Sequence, residues 1–311
     1  MKFKSKNLYE NLEELPDKFK ITYGDVTLPA MKYVKNDIYW IEYDSPTRYT
    51  YLKIFEIMFK NAMIGSTTDY SCTINYIHKL ENISGTKLIQ TILDFLKDIG
   101  VKQVFLGDDT GVFCQGQRID LSLYLLLKKG ITFYQRFGFK FHMSPTSFQS
   151  EIFKNDKEMI LTLEKRLTEF RAIKLQTFRS GLIRMFNLLT KIVTDNGYDK
   201  VKMSNYMIEA DYTVDVHPSD MEARVADNVI YIMDLLNLVK PIKNITTLVE
   251  LLMYYYDSKM CHKYSHIISY FNNMPLYRVS YGKTTLVNKY IEIFSTILFI
   301  RKCTLRLTFD D

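Results

Sequence analysis

Two short stretches of this chain hold residues whose types and spacing could do chemistry. The first is Asn82-Ile83-Ser84-Gly85-Thr86-Lys87, a Gly-containing loop that runs straight into an amphipathic segment. Unpaired N–H groups and the helix dipole make such a loop a ready anion site, although one Gly before a helix also suits a plain loop. Just ahead stand His78, an imidazole that can take a proton, and Glu81, which suits a solvated loop. The second stretch is Phe133-Tyr134-Gln135-Arg136-Phe137-Gly138-Phe139. Tyr134 carries a phenol that stays protonated at neutral pH and yields its proton only as negative charge develops beside it. Its alternative is a tyrosine that caps a helix packed on a sheet.

The surrounding pattern predicts what positions these residues. Residues 19–45 read as a meander of extended segments rich in aromatic and β-branched residues, broken at Gly24, Pro29, Asn36–Asp37 and Ser45–Pro46. Tyr51, Ile54, Phe55, Met58 and Phe59 recur at helical spacing, so a helix is expected there, ended by Gly65 to Asp69. TINYIH reads as a strand, ENISGTK as a loop, LIQTILDFLKDI as a helix closed by Gly100, and VKQVFLG as a second strand. A βαβ crossover of this length predicts two neighbouring strands covered by the helix.

These motifs, over roughly residues 70–142, resemble the GNAT superfamily of N-acetyltransferases. That core runs strand, Gly-containing pyrophosphate loop, helix, strand, then a helix ending in a Tyr-x-x-x-Gly-Phe type motif. The resemblance implies a mixed α/β sheet domain, acetyl-CoA as cosubstrate, and acetyl transfer to a primary amine on a small molecule or peptide. It implies roles too: Asn82, Ser84, Gly85, Thr86 and Lys87 at the coenzyme pyrophosphate, Tyr134 as acid for the departing thiolate, and His78 or a water beside it as base. Splayed central strands would present a backbone amide to the thioester carbonyl.

The sequence departs from that pattern at the loop, where Asn82 replaces a basic residue and Lys87 a small one. About 25 residues between Gly107 and Phe133 imply an inserted hairpin or extra helix. With the composition rich in Tyr, Lys, Ile and Asn, this insert resembles divergent GNAT-like proteins of giant DNA viruses. That resemblance implies a host-cytoplasm or virion location, and the eroded loop leaves open a non-catalytic binding or virion assembly protein.

Other constellations carry less. Cys261, His262 and His266 suggest zinc, but a fourth ligand would have to come from isolated Cys303 or from distant residues, and no metal is expected. Tyr281-Gly-Lys-Thr-Thr285 imitates the end of a P-loop without its first Gly. Glu209, Asp211, Asp215, His217 and Asp220 lack EF-hand spacing. Asp108–Asp109 at a strand end could meet a cationic substrate or form a turn. Lys165, Arg166, Arg171, Lys174, Arg179, Arg184 and Lys191 could make a basic stripe for phosphate or a partner, or a solvated helix face.

From about Ser150 to Val193 apolar residues keep a 3.6 period, with a break expected near Arg179–Gly181, and later segments also read as helical. The expected organisation is a GNAT-like α/β domain at 1–147 followed by an α-helical domain at 148–311, which leaves room for a protein partner. At 311 residues, 47% hydrophobic and with only 12 Gly and 7 Pro, the chain has globular composition and excludes disordered and collagen-like classes. The net charge of +6 divides almost evenly between the halves, which argues against nucleic acid. No apolar run reaches the roughly 20 residues of a membrane span, and no signal-peptide core follows the basic N-terminus. Four cysteines without CxxC spacing read as reduced thiols in a cytoplasmic protein, with no disulfide.

Overall fold

The computed structural model describes residues 8–36, 38–44, 55–59, 70–78, 82–144, 147–194, 232–273 and 286–309. They form two compact units that exchange segments along the chain: residues 1–108, 134–152 and 302–311 in one, residues 109–133 and 153–301 in the other. The expected division was a single boundary at 147, whereas the chain crosses between the units after residues 108, 133, 152 and 301. The crossings at 108, 133 and 301 were not anticipated, and strands from residues 18–43 share a sheet with one beyond residue 300.

The first unit is a mostly antiparallel sheet of eight described strands. They are β1 (Lys18–Tyr23), β2 (Val26–Lys35), β3 (Ile38–Tyr43), β4 (Phe55–Phe59), β5 (Ser71–Ile77), β6 (Gln103–Gly107), β9 (Lys140–His142) and β10 (Thr304–Thr308), in the order β1-β2-β3-β4-β5-β6-β10-β9. Only β5 and β6 pair in parallel, and α2 (Gly85–Asp98) makes the crossover between them, as the sequence pattern predicts. Ile41, Ile57, Ile74, Leu106, Leu305 and Phe141 are register partners in one row across six strands, and all are buried. Each such side chain contributes about 1.5–3 kcal/mol through burial. Leu88, Ile89, Ile92, Leu93, Phe95 and Leu96 form the buried stripe of α2, with Phe95 5.8 Å from Phe19 of β1. Lys32, on the row of Ile41, caps the preceding α1 (Leu8–Glu14) through the carbonyls of Leu12 and Leu15 at 2.9 and 2.5 Å.

The helix expected around residues 51–63 is corrected in its described part. Phe55, Ile57 and Phe59 alternate with period two, are fully buried, and form β4 between β3 and β5. A short apolar run fits both periods, and here partner strands on both sides together with Phe and Ile propensity decide for the strand.

The second unit contains both alternatives expected for the insert. A hairpin of β7 (Gly111–Cys114) and β8 (Gln117–Asp120) leads into α3 (Leu121–Lys129). Its two-residue turn, Gln115 and Gly116, takes positive φ at both positions, the conformation that matches strand twist. After the short α4 (Gln149–Ile152) of the first unit come α5 (Asp156–Arg171), α6 (Leu175–Thr194), a helical stretch at 232–238, α7 (Leu248–Asp257), α8 (Cys261–Asn273) and α9 (Leu286–Arg301). Phe170, Phe178, Phe271 and Phe294 bring four of these helices together, with ring centroids 4.8–5.7 Å apart along four of the contacts.

The helix break lies at Ala172–Lys174 instead of Arg179–Gly181. There Leu175 N–H donates to Thr246 O and Leu248 N–H to Ile173 O, so the chain spends its free backbone groups on the start of α7. Gly181 lies within α6, and its lack of a side chain has a packing reason: a Cβ there would stand 2.8 Å from Cγ2 of Val287 on α9.

The cysteine expectation is also corrected. Cys114 and Cys261 form a disulfide across 147 residues, with Cα atoms 6.0 Å apart, while Cys72 and Cys303 are free and buried. No local spacing could reveal a pairing over that separation. Among the described residues no helix is long and apolar enough to cross a membrane.

Candidate functional site

Of the residues singled out from the sequence, His78 and the 82–87 loop lie at the end of β5 and the start of α2, whereas Tyr134 lies ahead of β9, which β10 separates from β6. The β5–β6 ladder runs from Ser71↔Gln103 to Ile74↔Leu106 and stops, although β5 continues to Ile77. Over those last residues β5 pairs only with β4, after a register shift that leaves Asn75 as the extra residue. Asn75 Nδ2 donates to Glu56 Oε1 at 3.1 Å. Exposed His78 follows directly, at the C-terminal end of β5. Such strand ends are where open sheets with parallel pairs place ligands.

Past Glu81, which lies outside the described residues, Asn82 is exposed and Ser84 N-caps α2 with extended backbone. Its Oγ accepts from Lys87 N–H at 3.2 Å, so the cap itself occupies one of the amides that a phosphate would use. The N–H groups of Gly85 and Thr86 are the next two at that end. Lys87 Nζ forms an ion pair with Asp25 Oδ2 at 2.6 Å, in the turn between β1 and β2. The Lys87 hydrogen bond holds the Asp25 carboxyl below its usual range, and both side chains are exposed. Lys87 is thereby directed to a carboxylate.

Tyr134 opens a single 3-10 turn, Tyr134–Phe137, where a longer helix end was expected, and it is 9% exposed. Its ring stands edge-on to Phe139 at 6.1 Å. Gly138 takes φ +90°, and a Cβ there would come within 3.2 Å of Leu307 Cδ1. The Gly-Phe part of the motif thus has a conformational reason: it turns the chain tightly into β9 and buries Phe139.

Asp108 and Asp109 have different settings. Asp108 is buried at the end of β6, whereas Asp109 begins the second unit and its carbonyl accepts from Arg118 Nη2 at 2.9 Å. A residue not foreseen is His142: Thr304 pairs with Gly107 on one side and His142 on the other, and the His142 ring lies 5.7 Å from Phe105. Only the position of β10 puts it at this end of the sheet, and no local sequence signal carries that.

In the second unit the zinc reading fails at its first ligand, because the Cys261 sulfur is bonded to Cys114. Among the described residues no group of three or more His, Cys, Asp or Glu could hold a metal ion. The P-loop imitation at 281–285 and the acidic residues at 209–220 lie outside the described residues. The basic stripe is partly spent. Arg166 pairs with Glu169 and Glu292, at 2.9 and 3.2 Å. Arg171 donates to the carbonyls of Leu126 and Leu127 at the end of α3, and burial lowers its pKa.

A chemically richer knot joins α3 to α7. Tyr124 Oη donates to Asp257 Oδ1 at 2.9 Å and accepts from Lys128 Nζ at 2.6 Å, while Lys128 and Asp257 pair at 3.3 Å. The hydrogen bond to Tyr124 raises the Lys128 pKa, and desolvation raises that of Tyr124. All three groups are engaged with one another, which is the arrangement of a structural tie.

Comparison with protein-family models, curated proteins and solved structures yields no match for this chain.

Proposed function

We propose that the first unit is a divergent GNAT-like acyltransferase that moves an acetyl group from acetyl-CoA to a primary amine. The observation that carries this reading is the parallel β5–α2–β6 unit whose ladder stops at Ile74↔Leu106 while β5 runs on. Backbone groups of Asn75–Ile77 on the side facing away from β4 are suited to meet a thioester carbonyl, and the Gly85 and Thr86 amides to meet pyrophosphate. In this reading His78, or a water beside it, takes the proton from the attacking amine, and Tyr134 gives one to the departing thiolate.

Acetyl-CoA should raise the melting temperature, by an amount that reflects about 2.7 kcal/mol at a hundredfold excess over its Kd. Gly85→Asp should abolish that shift, because it sets a carboxylate against the diphosphate. Tyr134→Phe should keep the shift and lose about 10²–10⁴-fold in turnover on amine acceptors such as polyamines, amino sugars or lysine peptides.

A second reading, a binding or virion assembly protein that has lost coenzyme, draws on the Lys87–Asp25 pair, which commits the one basic side chain of the loop elsewhere. No melting shift at millimolar acetyl-CoA would select it.

A further inference from the structure

We propose that the Cys114–Cys261 disulfide is a redox-responsive latch that holds the β7–β8 hairpin on α8. The hairpin is a two-stranded sheet of its own, with four residues in each strand. Two-stranded ribbons of that length are marginal in water unless something else fixes them. One anchor is Ile119, which is 1% exposed. The other is the disulfide, one residue ahead of the turn. The opposite side of β7 faces solvent, with Phe113 82% exposed beside its exposed register partner Arg118.

The two sulfurs are not equivalent. Cys114 is partly exposed on the hairpin, whereas Cys261 is fully buried as the first residue of α8, a helix of 13 residues. A reductant therefore reaches Cys114 Sγ. A dithiol, attacking as its thiolate, forms a new S–S bond to Cys114 while the Cys114–Cys261 bond breaks and its electron pair leaves on Cys261 Sγ. Access sets this direction of cleavage, and the start of α8 offsets part of what burial costs the departing thiolate. The second thiol of the reductant then displaces Cys114, so the protein gains two electrons and two protons and the reductant departs as its own disulfide.

Cutting the bond leaves the hairpin held by Ile119, by the Thr110 carbonyl at its base, which accepts from the Leu121 and Ser122 N–H groups, and by its covalent junction with α3. That junction is Asp120, which N-caps α3 through Leu123 N–H at 2.8 Å and pairs with Arg301 at 2.9 Å. Reduction thus frees residues 111–118 while α3 keeps its own cap.

Alkylation in guanidinium checks the pairing: the purified full-length protein should take up two equivalents of iodoacetamide before reduction, at Cys72 and Cys303, and four after dithiothreitol. Hydrogen exchange under native conditions checks the latch. Dithiothreitol should speed exchange at 111–118 at least tenfold, leave the central sheet protected, and lower the melting temperature of the second unit by about 5–10 °C. Reoxidation should reverse both changes, and the Cys114→Ser/Cys261→Ser protein should match the reduced parent and ignore the reductant. Four alkylated thiols without reductant, a different pairing by peptide mapping, or unchanged exchange at 111–118 would overturn the proposal.

Discussion

His142 and Thr304 are backbone partners in one antiparallel ladder, although most of the helical unit lies between them in sequence. Thr304 at the same time pairs with Gly107, so β10 is an interior strand of the sheet with β6 and β9 on its two sides.

A fragment ending at residue 147 should therefore fail to form the sheet, since it lacks the strand that joins β9 to β6. Conversely, replacing 153–301 by a short linker should preserve it. Leu305→Ala, at a fully buried position, should cost about 2–5 kcal/mol of stability in urea denaturation of the full-length protein. A Leu305→Ala protein as stable as the parent would contradict this placement of β10.

Arg171 should matter more for stability than for charge. Its guanidinium satisfies the Leu126 and Leu127 carbonyls beside Gly130, which closes α3 with φ +82°. Arg171→Met removes the donors while keeping much of the stem and should cost about 1.5–3 kcal/mol by thermal or chemical melting. Arg171→Lys, which has no planar fork, should recover only part of that.

The start of α7 should confer a pH dependence. Glu250 accepts from the N–H groups of Thr246 and Thr247, while Thr247 Oγ1 accepts from Glu250 N–H, a complete capping box. Those backbone hydrogen bonds hold the Glu250 carboxyl below its ordinary value of 4.5. A carboxylate lowered by folding adds stability above its unfolded value and loses it as pH falls through the folded one. Glu250→Gln should thus be less stable than the parent at pH 7, and the gap should close as the pH is taken from about 5 to 3. Thr247→Ala should cost about 0.5–2 kcal/mol at pH 7.

Freeing Lys87 should strengthen any anion site at the α2 N-terminus. Asp25→Asn removes its partner, and because exposed ion pairs contribute little, acetyl-CoA affinity, on the proposed function, should rise by at most about fivefold. Calorimetric titration at low salt reads the change directly. A loss of affinity in Asp25→Asn would mean that the ion pair organises the loop instead of competing for it.

Much of the first unit was legible in its sequence because its signals are local. The aromatic and β-branched segments of residues 19–45, Gly100 after α2, and the apolar strand after it each report on their own segment. Phe55–Phe59 was misread because five residues fit a helical stripe and a strand equally well, and only the neighbouring strands decide. The Cys114–Cys261 bond, the β10 insertion and the position of His142 are set by contacts between segments far apart in the chain, which no window of residues contains. At the site, Ser84, Gly85 and the strand end were visible as a pattern. The diversion of Lys87 to Asp25 was not, since it requires knowing that the β1–β2 turn lies beside α2.

The interior position of β10 also sets an order of events during synthesis. On the ribosome, β6 and β9 emerge well before the strand that must lie between them, and at about 5–20 residues per second the interval is on the order of 10 s. Throughout that time β6 presents an open hydrogen-bonding edge and the row of Ile74, Leu106 and Phe141 lacks Leu305. The helical unit is complete in sequence before the sheet can close. Nascent chains stalled within α9 should therefore be the ones most prone to aggregate or to engage chaperones, and release of β10 should end that vulnerability.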